Sequence, residues 1–129
     1  MARIVCFTDN TAVARIVQQS LTDLQHSLSF LTASRLTDDV RQQVRRLAPD
    51  VILLELSQTI DNLHLFFFLR SDQATRHIPV IMLSSGGRLD QQATMLGADG
   101  YLQRPFHVDQ LSSMVASHLV PLNAAVAAA

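Results

Sequence analysis

The run Val51-Ile52-Leu53-Leu54 is apolar at every position. Side chains on a strand alternate between two faces, so such a run needs apolar cover on both sides. A parallel sheet with helices packed on each face meets that need. The rest of the chain repeats the theme. Ile4-Val5-Cys6-Phe7 and Ile78-Pro79-Val80-Ile81-Met82-Leu83 read as two more buried strands, Leu28 to Ala33 as a weaker one and Gly100-Tyr101-Leu102-Gln103 as a short one. Pro79 sits near a strand start, where a missing amide donor is tolerated.

Helical spacing fills the gaps between these runs. From Thr11, apolar residues fall at Val13, Ile16, Val17, Leu21 and Leu24. Thr37 can cap a second helix, with Asp38 and Asp39 favourably placed in its first turn, Val40, Val44 and Leu47 on its inner face and Pro49-Asp50 at its end. Leu63 to Arg70 reads as a third helix. A weakly patterned fourth runs from about Leu89 to a terminating Gly97. Leu111, Met114, Val115, His118 and Leu119 define the last. The expected order is βαβαβαβαβα: an α/β domain with a five-stranded parallel sheet and five helices, (βα)5. Its expected span is 1–120, with 121–129, rich in alanine, as a disordered tail or linker stub.

A chain of 129 residues is one domain's worth, long enough for a closed core without metals or disulfides. The single cysteine, Cys6, cannot form an internal disulfide, and no signal peptide is visible at Met1-Ala2-Arg3-Ile4, so a cytoplasmic location is expected. No apolar run approaches the ~20 residues that span a bilayer. All ten basic residues are Arg, which excludes Schiff-base chemistry and a P-loop lysine. At a formal net charge of −1 and with no basic stripe, no nucleic-acid partner is expected. Arg41, Arg45 and Arg46 cluster at helical spacing and read as a solvated helix face.

In open parallel α/β sheets, chemistry gathers beyond the carboxyl ends of the strands. The residues there are Thr8, Asp9 and Asn10; Glu55; Ser84 and Ser85; and Arg104. Asp9 and Glu55 could supply oxygen ligands to a hard divalent cation, and Arg104 could bind phosphate or pair with a carboxylate. No Gly-x-Ser-x-Gly motif occurs and no His sits at a strand end. His107, at the start of the last helix, is expected to cap or face solvent rather than catalyse.

Three segments together carry a resemblance. Pro49-Asp-Val-Ile-Leu-Leu-Glu-Leu56, Ile78-Pro-Val-Ile-Met-Leu-Ser-Ser85 and Gly97-Ala-Asp-Gly-Tyr-Leu-Gln-Arg-Pro-Phe106 resemble a response-regulator receiver (CheY-like) domain, over about residues 3 to 119. The resemblance implies a flavodoxin-like three-layer sandwich and a role in two-component signal transduction. In that family an Asp at the end of the third strand accepts a phosphoryl group from a histidine kinase. Two acids after the first strand help hold Mg²⁺, and a hydroxyl residue and a Lys contact the phosphoryl group. Here Glu55 stands at the acceptor position, Thr8 at the first acid and Arg104 at the Lys. Asp9 keeps the second acid, and Ser84 and Tyr101 keep the switch hydroxyl and aromatic.

Glu reaches about 1.5 Å further than Asp, and misplacement on that scale can cost ~100-fold in phosphoryl transfer. The longer carboxylate could instead partly imitate the phosphorylated form. Thr8 removes an anionic ligand, so Mg²⁺ is expected to bind weakly at Asp9 or not at all. Arg104 could grip Glu55 bidentately, giving a standing pair that fills the pocket. The expectation is therefore a pseudo-receiver: no catalytic residue, no cofactor, and a phosphorylation-independent protein-interaction module. Two alternatives stand beside it: drift in a pocket that no longer matters, and a phosphorylation-competent receiver using Mg²⁺. A flavodoxin-like small-molecule binder fits less well, because no phosphate- or flavin-binding loop follows the first strand.

The expected partner is a protein, such as an output domain or signalling enzyme. Phe66, Phe67 and Phe68 follow one another, and consecutive helical residues point about 100° apart, so they cannot all face the sheet. By the receiver pattern Leu63, Phe66 and Leu69 face inward, and Phe67 and Phe68 form an exposed partner surface unless adjacent loops cover them. The last helix lacks the charges that pair many family dimers, so a homodimer would use the third helix first.

Overall fold

A computed structural model describes residues 2–22, 26–32, 37–56, 62–84, 97–103 and 106–128. Five strands form one sheet: β1 (Arg3–Phe7), β2 (Ser27–Leu31), β3 (Val51–Leu56), β4 (Val80–Ser84) and β5 (Gly100–Gln103). Their spatial order is β2-β1-β3-β4-β5, and every pairing is parallel. Four helices lie among the described residues: α1 (Thr11–Thr22), α2 (Asp38–Leu47), α3 (Asn62–Ser71) and α4 (Val108–Ala128). The helix expected from about Leu89 to Gly97 lies outside the described residues, apart from Gly97 itself. That glycine has φ +83°, the left-handed conformation expected of a terminating residue.

The pleat divides the core into two halves. Val5, Phe7, Ile52, Leu54, Val80 and Met82 point to one face, where α2 and α3 contribute Val44, Leu65, Phe66 and Leu69. Ile4, Cys6, Val51, Leu53, Ile81 and Leu83 point to the other, where α1 contributes Val13, Val17 and Leu21 and α4 contributes Leu111 and Val115. The uninterrupted apolar run of β3 is thus central and buried on both sides. Burial of apolar area at roughly 25 cal/mol per Å² is what fixes this arrangement.

Local signals account for the element ends. Thr37 caps α2, its Oγ1 accepting from the Val40 amide at 3.3 Å. The helix ends at Ala48, whose φ of 45° is left-handed and whose amide donates to the Val44 carbonyl at 2.9 Å. At α4, the His107 amide donates to Gln110 Oε1 at 2.8 Å, half of a reciprocal cap, so His107 takes the expected capping place. The α4 backbone runs on through Pro121 to Ala128, covering the stretch read as a tail. Alanine has the highest helix propensity, which favours that continuation.

Glu55 lies one residue inside β3 rather than just beyond it. Leu56 is buried and pairs with Ser84, and this extends the strand. On the amino side of the sheet, the Arg70 guanidinium ties α3 to the starts of β4 and β5. It pairs with Asp99, donates to the Arg76 carbonyl at 3.1 Å, and lies 5.3 Å from the Phe66 ring centroid. Asp99 in turn accepts from the Val80 amide at 2.8 Å. This clamp joins residues 29 apart in sequence, a separation no local pattern signals.

Candidate functional site

The carboxyl ends of β1 and β3 meet because the two strands pair in register, Cys6 with Leu53 and Phe7 with Leu54. The next step of that register brings Thr8 beside Glu55. Both are buried, at 7% and 4% exposure. Thr8 Oγ1 donates a short hydrogen bond to Glu55 Oε2. Thr8 Oγ1 also accepts from the Asn10 amide at 3.0 Å, and the Thr8 amide donates to the Leu31 carbonyl at 3.1 Å. A hydroxyl has one proton, and the Asn10 amide occupies a lone pair, so the proton is directed at the carboxylate.

Asn10 has a second task. Its Oδ1 accepts from the Ala12 and Val13 amides at 2.9 and 3.3 Å, capping α1. The helix start and the orientation of the Thr8 hydroxyl are therefore fixed by one residue. Cys6, two residues back on the same face, is a buried free thiol. Burial first, and the nearby Glu55 carboxylate second, push its pKa far above the ordinary thiol range.

The other expected site residues fall out as follows. Asp9 is exposed at the mouth. Ser84 ends β4, its backbone in register with Leu56 of β3 and Gln103 of β5. Tyr101 sits in β5 opposite Met82 and is 40% exposed. Arg104 and Ser85 lie outside the described residues, and so does the expected Glu55–Arg104 pair. Phe67 and Phe68 are 50% and 44% exposed, while Phe66 and Leu69 are buried, as the receiver pattern implies. Leu65 is buried as well, so the inner face of α3 is wider than expected; the Leu63 side chain lies outside the described residues.

Mg²⁺ wants an octahedron of oxygen lone pairs. Thr8 offers Glu55 a proton where the receiver pattern has an acid, and Asp9 points to solvent. Among the described residues no group of three or more His, Cys, Asp or Glu could hold a metal.

Asn10 is legible as a strand-end residue, but its hold on the Thr8 hydroxyl is not, and neither is the place of Cys6 behind the site. Thr-Asp-Asn before a helical pattern signals a cap, but not that the Thr hydroxyl turns back to β3. No helix among the described residues is long and apolar enough to cross a membrane.

Comparison with known proteins agrees with the geometry. Residues 4–116 match the response regulator receiver domain family. A DNA-binding dual master transcriptional regulator, RpaA from Synechocystis sp., is 30% identical over 120 residues, covering 89% of this chain and 48% of the relative. The chain thus spans about half the length of that protein. Among solved structures, a response regulator from Chloroflexus aurantiacus superposes with TM-score 0.78 at 23% identity, covering 92% of this chain and 98% of that one. The chemotaxis response regulator CheY4 of Vibrio cholerae superposes with TM-score 0.76 at 18% identity, covering 92% and 99%. The signal receiver domain of a histidine kinase from Syntrophus aciditrophicus gives TM-score 0.74 at 24% identity, covering 94% and 92%. With a parallel β2-β1-β3-β4-β5 sheet, a carboxylate near the end of β3 and a family match across most of its length, the chain belongs to the response regulator receiver domains of two-component signalling.

Proposed function

We propose that this receiver works as a phosphorylation-independent protein-interaction module in the cytoplasm, with Glu55 held as a fixed anion in place of a phosphorylatable Asp. The observation that carries this is the buried hydrogen bond from Thr8 Oγ1 to Glu55 Oε2. An acceptor carboxylate attacks phosphorus with a lone pair aligned to the leaving oxygen, and transfer depends on positioning and charge neutralisation. Here one oxygen of the carboxylate is engaged by a neutral donor. The group is also one methylene longer than Asp. Both features favour a static charge over turnover, and Mg²⁺ at Asp9 is weak or absent in this reading. In this reading Ser84 and Tyr101 are the remnant of the family's switch, and Arg104 is the cation at the Lys position. The partner is a protein, an output domain or a signalling enzyme. DNA binding belongs to the name of the longer Synechocystis relative, and the charge balance of this chain gives it no counterpart.

Incubation with acetyl phosphate and Mg²⁺, followed by intact mass measurement, tests the proposal. The wild-type chain is expected to show no adduct. The variant Thr8→Asp/Glu55→Asp is expected to gain an adduct of about 80 Da, one phosphoryl group. A stable adduct on Glu55 of the wild type would establish the phosphorylation-competent alternative instead.

A further inference from the structure

Two adjoining clefts run along the edge formed by α2 and the segment that follows α3. The first, of about 580 Å³, is lined by Arg41, Arg45, Phe68 and Gln73 among others. The second, of about 300 Å³, is lined by Val44, Pro49, His77 and Ile78 among others. They share Arg45 and Ala74, so Arg45 stands between the two clefts, which together form a trough.

The cations along this trough differ in their commitments. Arg41 Nε lies 2.6 Å from Asp72 Oδ2, and Asp72 also accepts from the Ala74 amide at 2.9 Å, so this pair is internal to the fold. Arg45 makes no ion pair among the described residues. Arg46, its neighbour, shares the favourable place near the α2 carboxyl terminus but lines neither cleft. On one side of Arg45 the trough offers the exposed Phe68 ring, and on the other the Val44–Pro49–Ile78 wall.

We propose that this trough docks an acidic segment of a partner protein, its carboxylate on Arg45 and apolar side chains to either side. Charge complementarity selects the partner: a single uncommitted guanidinium, flanked by apolar surface, matches an Asp or Glu between apolar residues. An aromatic beside an Arg is also the composition that concentrates binding energy at interfaces. The site does not depend on the state of Glu55.

Panning a display library of random dodecapeptides on the full chain tests this, with affinities of enriched peptides measured by fluorescence anisotropy. Enriched peptides are expected to carry an Asp or Glu flanked by apolar residues. Arg45→Glu and Phe68→Ala are each expected to weaken them by about tenfold or more. Arg46→Glu, an equal change of charge beside the trough, should have little effect. Circular dichroism melts confirm that each variant is folded. Absence of enrichment, enrichment without acidic residues, or equal loss in Arg45→Glu and Arg46→Glu overturns the proposal. So does a concentration-dependent self-association that Arg45→Glu abolishes without any peptide binding, which would assign the trough to a second copy of the chain. None of these outcomes changes the phosphoryl-adduct result, so the two proposals fail separately.

Discussion

Replacing Thr8 by Val removes one hydroxyl while keeping the β-branched shape. Backbone preference and volume are therefore nearly unchanged. What is lost is the donor to a carboxylate that is only 4% exposed, together with the acceptor of the Asn10 amide. Hydrogen bonds to charged groups contribute roughly 1.5–3 kcal/mol. We expect a loss of about 2 kcal/mol at neutral pH. Unfolding entropy scales with chain length, so for a domain of this size that is a fall of about 7 °C in Tm. Urea unfolding monitored by far-ultraviolet circular dichroism measures it directly. A double-mutant cycle with Glu55→Leu isolates the pair, because the Asn10 amide loses its acceptor in both Thr8→Val and the double variant and that cost cancels. The coupling is expected to be about 1.5 kcal/mol or more. If Thr8→Val melts with the wild type, or the cycle closes additively, the hydroxyl does not hold the carboxylate, and the case for a locked pocket falls with it.

Three further outcomes follow from the geometry. Ala48→Gly relieves a left-handed alanine at the end of α2 and is expected to stabilise by about 0.5–1 kcal/mol; an unchanged urea midpoint would refute the strain. Cys6 is expected to react with iodoacetamide at least ~100-fold more slowly in the folded chain than in urea, since burial and the Glu55 charge both disfavour the thiolate; equal rates would place the thiol at the surface. His26 Nδ1 accepts from the Ala2 amide at 3.1 Å, and burial lowers its pKa from the ordinary value. Below about pH 6.5 the unfolded chain then binds the proton first, so stability falls as pH drops from there toward the lowered value. Wild type should lose more stability than His26→Ala across that interval, and parallel pH profiles would remove the contribution.

Much of this fold was legible because its signals are local. The all-apolar Val51–Leu54 run, the Thr37 cap and the Pro49 stop each act within a few residues, and each stands where expected. β2 was placed at Leu28–Ala33 and is Ser27–Leu31; as an edge strand with partly exposed residues it carries little periodicity. Helical geometry requires that the three Phe not all face the sheet, and the receiver resemblance points to Phe67 and Phe68 as the exposed pair. At the site, Glu55 is identifiable by position, whereas its hydrogen bond from Thr8 is not. That contact depends on the β1–β3 register, which a sequence does not state. The Arg70–Asp99 clamp and the trough at Arg45 escaped for the same reason: each joins segments distant along the chain.

The period-two pleat has one more consequence. Cys6, Thr8 and Glu55 belong to the half of the sandwich covered by α1 and α4, whereas Arg45 and Phe68 belong to the half covered by α2 and α3. Between the halves runs the sheet itself, a wall of buried aliphatic side chains. A protein seated beside Phe68 therefore touches none of the residues that hold Glu55, and any signal between the two must pass as a rearrangement of that close-packed wall.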